Sequence, residues 1–353
     1  MTELNSWALV TGTGWECVRQ GQWAWRAGGT RTGKFLNTTT RELELPGSTE
    51  KKRICVVFVD GVGVGKRDPS VNPLANGVDP LFAVFLDDPS TPTLPLGGRA
   101  KGIDACLGVP GLPQSATGQT ALFAGVNAAA YLGYHKSGFP NQKLRELLWQ
   151  GSLLKRARER GLRSAFVNAY RPVFFQFPLE KKLRFLSVTT VACLSAGQDC
   201  FPLEAIPQKR AVYHEFTNRE LRQKGFDLPL WTPEYAGRVL AGISAKYDLC
   251  LYEFFRTDHA GHSGELSYAA EILNEFSAFL RGFLKEKDPS TALVVVSDHG
   301  NVEDVSVVTH TTNPALLAVW GWASERVLSQ VDSLADFTPA ILEAFWGPET
   351  GAE

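Results

Sequence analysis

The sequence predicts an α/β protein: a three-layer α/β/α sandwich with a mostly parallel central sheet. Apolar β-branched runs are typical of buried strands, and amphipathic segments with helical spacing lie between them. Strands that alternate with helices form parallel sheets covered on both faces. Polar residues directly follow several of the runs, and binding sites in such folds lie at the carboxyl ends of strands.

Apolar runs predict five strands, at residues 54–60, 162–168, 248–255, 291–297 and 315–321. Helical spacing predicts four helices, at residues 141–160, 232–246, 265–287 and 334–345. We expect Thr232 to cap the second helix, with Pro233 in its first turn.

The chain divides into regions of different character. Residues 1–50 hold four of the nine Trp among Gly, Thr and Arg, with no periodicity, and we expect a poorly ordered N-terminal extension. Residues 51–170 and 232–347 are expected to form the core. Residues 171–231 contain several prolines and break the alternation, so we expect a small cap insertion lying over the site.

Composition excludes several classes of function. The 353 residues are 44% apolar and 21% charged, which is ordinary for a soluble protein. A net charge of -1 gives no general attraction to nucleic acid or an anionic membrane. No run approaches the roughly 18 apolar residues of a membrane span, and the first residues do not form a secretory signal. The six cysteines lack C-x-x-C spacing, which favours a reducing compartment, the cytoplasm.

Carboxylate and imidazole side chains recur at the ends of the predicted strands. Oxygen and nitrogen ligands without Cys suit Mn²⁺ or Zn²⁺. Taken singly, an Asp in such a place can be a turn residue and a His a surface residue. Together they form a candidate metal site: Asp60, Asp258, His262, Asp298, His299 and His310.

A candidate nucleophile lies upstream. Ser115 and Thr117 precede small, helix-compatible residues, and the start of a helix favours an alkoxide and receives phosphate. A capping Ser without chemistry is the alternative. His135 and His214 lie elsewhere and are interpreted as surface or polar-contact residues.

Five motifs occur in one order between residues 53 and 345: Asp60-Gly-x-Gly, Gln114-Ser-x-x-Gly, Asp258-x-x-Gly-His, Asp298-His-Gly-Asn and His310-Thr-x-Asn-Pro. In this the chain resembles the alkaline phosphatase superfamily, and within it the branch of cofactor-independent phosphoglycerate mutase and phosphopentomutase. The resemblance implies two divalent ions. One would be held by Asp258, His262 and His310, and the other by Asp60, Asp298, His299 and the hydroxyl of Ser115.

The same resemblance implies phosphoryl transfer to Ser115. Thr117 is the alternative nucleophile, because phosphopentomutase-like enzymes use Thr, but alignment on Gly118 favours Ser115. His259 is then a second-sphere or surface residue. The ions would be Mn²⁺ or Zn²⁺, and the HTTNP context favours Mn²⁺. Two such ions and three Asp leave one positive charge, which attracts a phosphate and favours deprotonation of Ser115.

We therefore expect a phosphomonoester or phosphodiester hydrolase that acts on a small phosphorylated substrate through a phosphoserine. The insertion is shorter than in the mutases, and Gln119 stands where the S-x-x-G-H motif has histidine. A phosphosugar or phosphoglycerate mutase stays an alternative, as does a catalytically silent metal-binding regulator. A sulfatase is discounted, since residues 114–118 lack the C/S-x-P-S-R pattern. Candidate cations for substrate phosphate, each alternatively a surface charge, are Lys66, Arg67, Arg171 and Arg256.

Overall fold

A computed structural model of the chain describes residues 51–346 and two short strands, Cys17–Val18 (β1) and Gln22–Trp23 (β2). These two strands pair antiparallel within a first compact unit, residues 1–49. The prediction that residues 1–50 form a poorly ordered extension otherwise lies outside the described residues. The second compact unit runs from residue 50 to residue 353.

The strands of the second unit are short, and the central ones are fully buried. In chain order they are Arg53–Val59 (β3), Thr93–Leu94 (β4), Gly98–Ile103 (β5), Ser164–Phe166 (β6), Ala169–Tyr170 (β7), Phe201–Pro202 (β8), Leu249–Phe254 (β9), Thr291–Val296 (β10) and Ala315–Trp320 (β11). The five predicted strands correspond to β3, β6, β9, β10 and β11.

Seven strands form the central sheet in the order β4-β5-β11-β10-β3-β9-β6. β10, β3, β9 and β6 pair parallel with their neighbours. β11 is antiparallel to both β10 and β5, and β4 is antiparallel to β5. Five of the seven strands therefore run in one direction, which confirms the predicted mostly parallel sheet.

The α-helices carry the apolar faces that cover this sheet. They are Ser115–Ala124 (α1), Ala128–Leu132 (α2), Gln142–Gly151 (α3), Leu153–Glu159 (α4), Leu179–Lys182 (α5), Val188–Ser195 (α6), Arg219–Gln223 (α7), Pro233–Ser244 (α8), Arg256–Ser263 (α9), Leu266–Glu286 (α10), Ser324–Gln330 (α11) and Phe337–Trp346 (α12). Thr232 caps α8 by accepting from the Tyr235 amide, and Pro233 begins the helix. No described helix is both long and apolar enough to cross a bilayer.

Two apolar clusters lie on opposite faces of the sheet, because successive strand residues point to opposite sides. In β3, Val57 packs with α8 and α10, whereas Val56 and Phe58 pack with α1, α3, α4 and α12. The same alternation holds in β9 and β10. The α/β/α sandwich is thereby confirmed.

The prediction of one helix over residues 141–160 was wrong at Ser152. The chain there is extended (φ -77°, ψ 161°), and the Ser152 side chain accepts from the Lys155 amide to begin α4. Its hydroxyl also lies 2.8 Å from the buried Ser195 hydroxyl of α6. A tertiary hydrogen bond and a local cap therefore replace helix continuation.

Residues 171–231 contribute to both apolar clusters. Val188 and Val191 of α6 join the cluster that contains α1, and Ile206 and Phe216 join the one that contains α10. The segment also exposes apolar side chains, among them Phe177 and Phe185. The division into a core and a cap insertion remains a prediction.

Candidate metal centre

The predicted ligands converge because their strands are neighbours in the sheet. Asp60 follows β3, Asp258 and His262 lie in α9 directly after β9, and Asp298 follows β10. His310 precedes β11, and since β11 is antiparallel to β10, its start lies at the edge where β10 ends. Four adjacent strands therefore place their polar residues at one edge of the sheet.

A first group consists of Asp60, Asp298 and His299, whose ligand atoms lie within 4.8 Å of one another. His299 Nε2 lies 3.2 Å from Asp60 Oδ1 and 3.5 Å from Asp298 Oδ2. Ser115 Oγ lies 3.1 Å from the same nitrogen. All the residues of the proposed second ion are therefore together.

A second group consists of Asp258, His299 and His310. His310 Nε2 lies 3.5 Å from Asp258 Oδ1. His262 adjoins it, with Nε2 3.2 Å from His310 Nε2 and 3.4 Å from Asp258 Oδ2. The residues that the resemblance assigns to the first ion are also adjacent, and His299 is a member of both groups.

Each of three histidines turns Nδ1 to a backbone carbonyl and Nε2 to the cluster. His310 Nδ1 lies 2.7 Å from the Pro113 oxygen, and His262 Nδ1 lies 2.9 Å from the Val308 oxygen. His299 Nδ1 has a longer contact of 3.4 Å with the Gly300 oxygen. An Nδ1–H that donates to a carbonyl leaves the Nε2 lone pair free, which is how metal-binding histidines are oriented.

Two carboxylates are half satisfied in a way that fits a cation. Gln119 Nε2 donates to Asp60 Oδ2 at 3.2 Å, and the Gly61 amide donates to Asp298 Oδ1 at 3.3 Å. The other oxygens, Asp60 Oδ1 and Asp298 Oδ2, are buried without a well-formed hydrogen bond from a described residue, and both face His299 Nε2, at 3.2 and 3.5 Å. A buried carboxylate oxygen without a donor is costly unless a positive charge faces it.

The acid–base properties of the cluster agree with this. Burial and the neighbouring charge of Asp298 raise the pKa of Asp60 to about 8. Burial opposes a charge on His299, yet Asp298 and Asp60 raise its pKa to about 10. Burial and the charge of His299 lower the pKa of His310 to about 4. The carboxylates therefore attract a cation strongly, and divalent ions would relieve the repulsion between the Asp60 and Asp298 carboxylates.

The two candidate nucleophiles differ in their surroundings. Ser115 is the first residue of α1 and faces His299. Thr117 is fully buried; its hydroxyl donates to the Gln114 carbonyl at 3.1 Å and accepts from the Lys136 amide at 3.2 Å. Both hydrogen-bonding directions of Thr117 are used in holding two loops together. Ser115 is the hydroxyl that faces the cluster.

The other predicted residues are more dispersed. His259 is exposed and lies against Phe255. His214 stacks on the same ring, and burial lowers its pKa to about 4. His135 lies 3.1 Å from the Val109 oxygen. None of the three belongs to either ligand group.

Of the four candidate phosphate cations, Lys66 shares a cavity wall with a residue of the cluster. It lines a cavity of about 400 Å³ whose wall includes His310 and Thr311. Arg67 pairs with Asp87 and Asp88, and Arg256 pairs with Glu275. Arg171 is exposed and does not line this cavity.

Sequence reasoning missed three polar residues that contact the ligands or the loops that carry them. Gln119, noticed only as a departure from a motif, donates to Asp60. Asn301 donates to Asp258 Oδ1 at 2.7 Å. Glu303 is 1% exposed and accepts hydrogen bonds from several loops. Their place within or beside the motifs is the only sequence signal that marks them.

Comparison with known proteins supports the resemblance. Residues 233–347 match the family model of the Metalloenzyme superfamily. A 2,3-bisphosphoglycerate-independent phosphoglycerate mutase of Cereibacter sphaeroides is 29% identical over 126 residues, 33% of this chain and 24% of that mutase. The matched part of the chain thus spans about a quarter of the mutase. The predicted resemblance to the alkaline phosphatase superfamily and its phosphoglycerate mutase branch is confirmed.

The fold comparison covers more of the chain. The PH0037 protein from Pyrococcus horikoshii aligns with a TM-score of 0.50 and 15% identity, covering 84% of this chain and 97% of that one. An alkaline phosphatase from the Antarctic bacterium TAB5 aligns with a TM-score of 0.44 and 12% identity, covering 84% and 98%. The first of these supports the fold alone.

Proposed function

We propose that this protein is a two-metal phosphoryl-transfer enzyme that hydrolyses a small phosphorylated substrate through a phosphoserine at Ser115. The observation that carries the proposal is the pair of ligand groups around the Ser115 hydroxyl. Asp60 Oδ1 and Asp298 Oδ2 support it further, because both are buried without a well-formed hydrogen bond from a described residue and a divalent ion would compensate their charge. The Metalloenzyme match agrees with divalent metal binding.

The donor set suits two ions. Asp258, His262 and His310 would hold one, and Asp60, Asp298, His299 and Ser115 the other. Oxygen and nitrogen donors suit Mn²⁺ or Zn²⁺, and we favour Mn²⁺. When bound, such ions act as Lewis acids that stabilise the attacking, leaving and equatorial oxygens of a phosphoryl group.

The protein's own groups then prepare the attack. Ser115 lies at the start of α1, where free N–H groups and the positive end of the helix dipole favour an oxyanion and bind phosphate. Ser115 Oγ, having lost its proton to solvent, forms the bond to phosphorus as the bond to the ester oxygen breaks, and the leaving alkoxide takes a proton from water. Water then attacks the phosphoserine and releases inorganic phosphate and the free hydroxyl.

A screen of purified protein tests this. Metal-free protein is reconstituted with Mn²⁺ or Zn²⁺ and assayed against phosphomonoesters, phosphodiesters and phosphosugars, with Ser115→Ala as control. Release of phosphate that requires both metal and Ser115 is expected. Failure of every substrate with both metals, in protein shown to bind them, would contradict the enzyme and favour a silent metal-binding regulator.

A mutase is the second candidate, supported by the names of the matched relatives. In a mutase a second hydroxyl of the substrate, not water, accepts the phosphoryl group. Transfer of phosphate between positions of one sugar acid without release of inorganic phosphate would favour it.

The free thiols of the described cysteines agree with a cytoplasmic location, which we also propose.

A further inference from the structure

Glu303 joins three loops that carry candidate ligands, and this inference rests on the proposed metal centre. Its Oε2 accepts from the Gly63 amide at 2.8 Å and from the Asn301 amide at 2.7 Å. Its Oε1 accepts from Thr311 Oγ1 at 2.5 Å and from Asn313 Nδ2 at 3.0 Å. Each oxygen thus has two donors, and among the described residues no cation pairs with the carboxylate.

The first of the three loops follows Asp60, the second contains Asp298 and His299, and the third contains His310. Gly63 lies three residues after Asp60, and Thr311 directly follows His310. Asn301 extends the connection, because its side chain donates to Asp258 Oδ1. One carboxylate therefore links segments from both ligand groups.

Space around Glu303 is closed as well as hydrogen-bonded. A Cβ added at Gly63 or at Gly300 would collide with the Glu303 carboxylate. Because Glu303 is only 1% exposed, solvent cannot easily replace a lost donor or acceptor. A neutral amide in this position would turn an N–H group toward donors that now face an oxygen.

We propose that Glu303 is a positioning residue that sets the spacing of the two ligand groups and hence the affinity of the centre for divalent ions. It belongs to neither ligand group and acts through the loops that carry the ligands. Polar groups that orient metal ligands typically contribute 10–100-fold in affinity. We expect a loss of that size, about 10–100-fold, in Glu303→Gln.

The chain offers a matched control in Glu215. It is 4% exposed, accepts from a Thr hydroxyl and a backbone amide, and contacts none of the candidate ligands among the described residues. A second pair of variants, Thr311→Val and Thr311→Ser, removes or keeps the single hydroxyl that donates to Glu303. This pair decides the question if Glu303→Gln does not fold.

The test is calorimetric titration of Mn²⁺ into metal-free protein, at a temperature where circular dichroism shows each variant folded. We expect weakened binding in Glu303→Gln and Thr311→Val, and wild-type binding in Glu215→Gln and Thr311→Ser. Folded Glu303→Gln with wild-type affinity would overturn the inference while the proposed function stands. Wild-type protein that binds no Mn²⁺ or Zn²⁺ would overturn both.

Discussion

Removing the hydroxyls of Ser115 and Thr117 one at a time gives the sharpest test of the proposed chemistry. Ser115→Ala removes the hydroxyl that lies 3.1 Å from His299 Nε2 and leaves the partly exposed first position of α1 otherwise intact. Thr117→Val removes a buried hydroxyl of the same helix and keeps the side-chain shape. The two substitutions should separate catalysis from stability.

The expected magnitudes follow from the contacts. Loss of the attacking oxygen should lower kcat by at least about 10³-fold, or about 4 kcal/mol at 1.36 kcal/mol per tenfold. Thr117→Val removes two hydrogen bonds and leaves the Lys136 amide without its acceptor, which should cost about 1–3 kcal/mol of folding free energy. Such a loss lowers the Tm of a chain of this size by several degrees.

Both variants are assayed with saturating metal at a temperature well below either Tm, and thermal melts give the stabilities. We expect Ser115→Ala to be inactive with a near wild-type Tm, and Thr117→Val to be active with a lowered Tm. Activity retained in Ser115→Ala but lost in folded Thr117→Val would refute the assignment. It would make Thr117 the nucleophile.

Three further predictions concern stability. Adding Mn²⁺ or Zn²⁺ to metal-free protein should raise its Tm, and a chelator should reverse the change, because ions that bind only the folded state stabilise it. An unchanged Tm in scanning fluorimetry would contradict the metal centre. Gly237→Ala should lower the free energy of urea unfolding by about 1–3 kcal/mol, since its Cβ would collide with the Phe279 carbonyl where α8 crosses α10. Gly242→Ala, on the same helix, faces open space and should be neutral or stabilising. Asp79→Asn should cost about 1 kcal/mol of folding free energy at pH 7, because the hydrogen bonds from Arg281 hold the pKa of Asp79 below 3.8. This contribution is present above pH 3.8 and is lost as the pH falls through the pKa of the folded state. An equal difference in stability between variant and wild type at about pH 3 and at about pH 7 would disprove it.

The sequence predicted the central strands well because their physical signal is local. A strand buried on both faces needs a continuous apolar run, and β3 and β10 each have one that ends at a polar residue, while the run of β9 is interrupted by Glu253. The helices α8 and α10 had equally local signals: both have an apolar stripe, and α8 also has the Thr232 cap. The position of the predicted ligands followed from these elements together with the motif order.

The parts that were missed depend on tertiary contacts. β5, GRAKGI, has few apolar residues and is held by its pairing with β11, so its sequence does not predict a strand. Glu303 stands in a polar turn, where a charged residue is normally exposed. Its burial depends on donors that come from loops distant in sequence, such as Gly63. The order of the strands likewise leaves no trace in a single sequence.

His299 belongs to both ligand groups, and this has a consequence for how ions enter. An imidazole nitrogen has one lone pair, so Nε2 can coordinate one ion at a time. The ion that arrives first therefore changes the donors that remain for the next. Loading should proceed in two unequal, interdependent steps, and by thermodynamic linkage each ion alters the affinity of the other by the same factor.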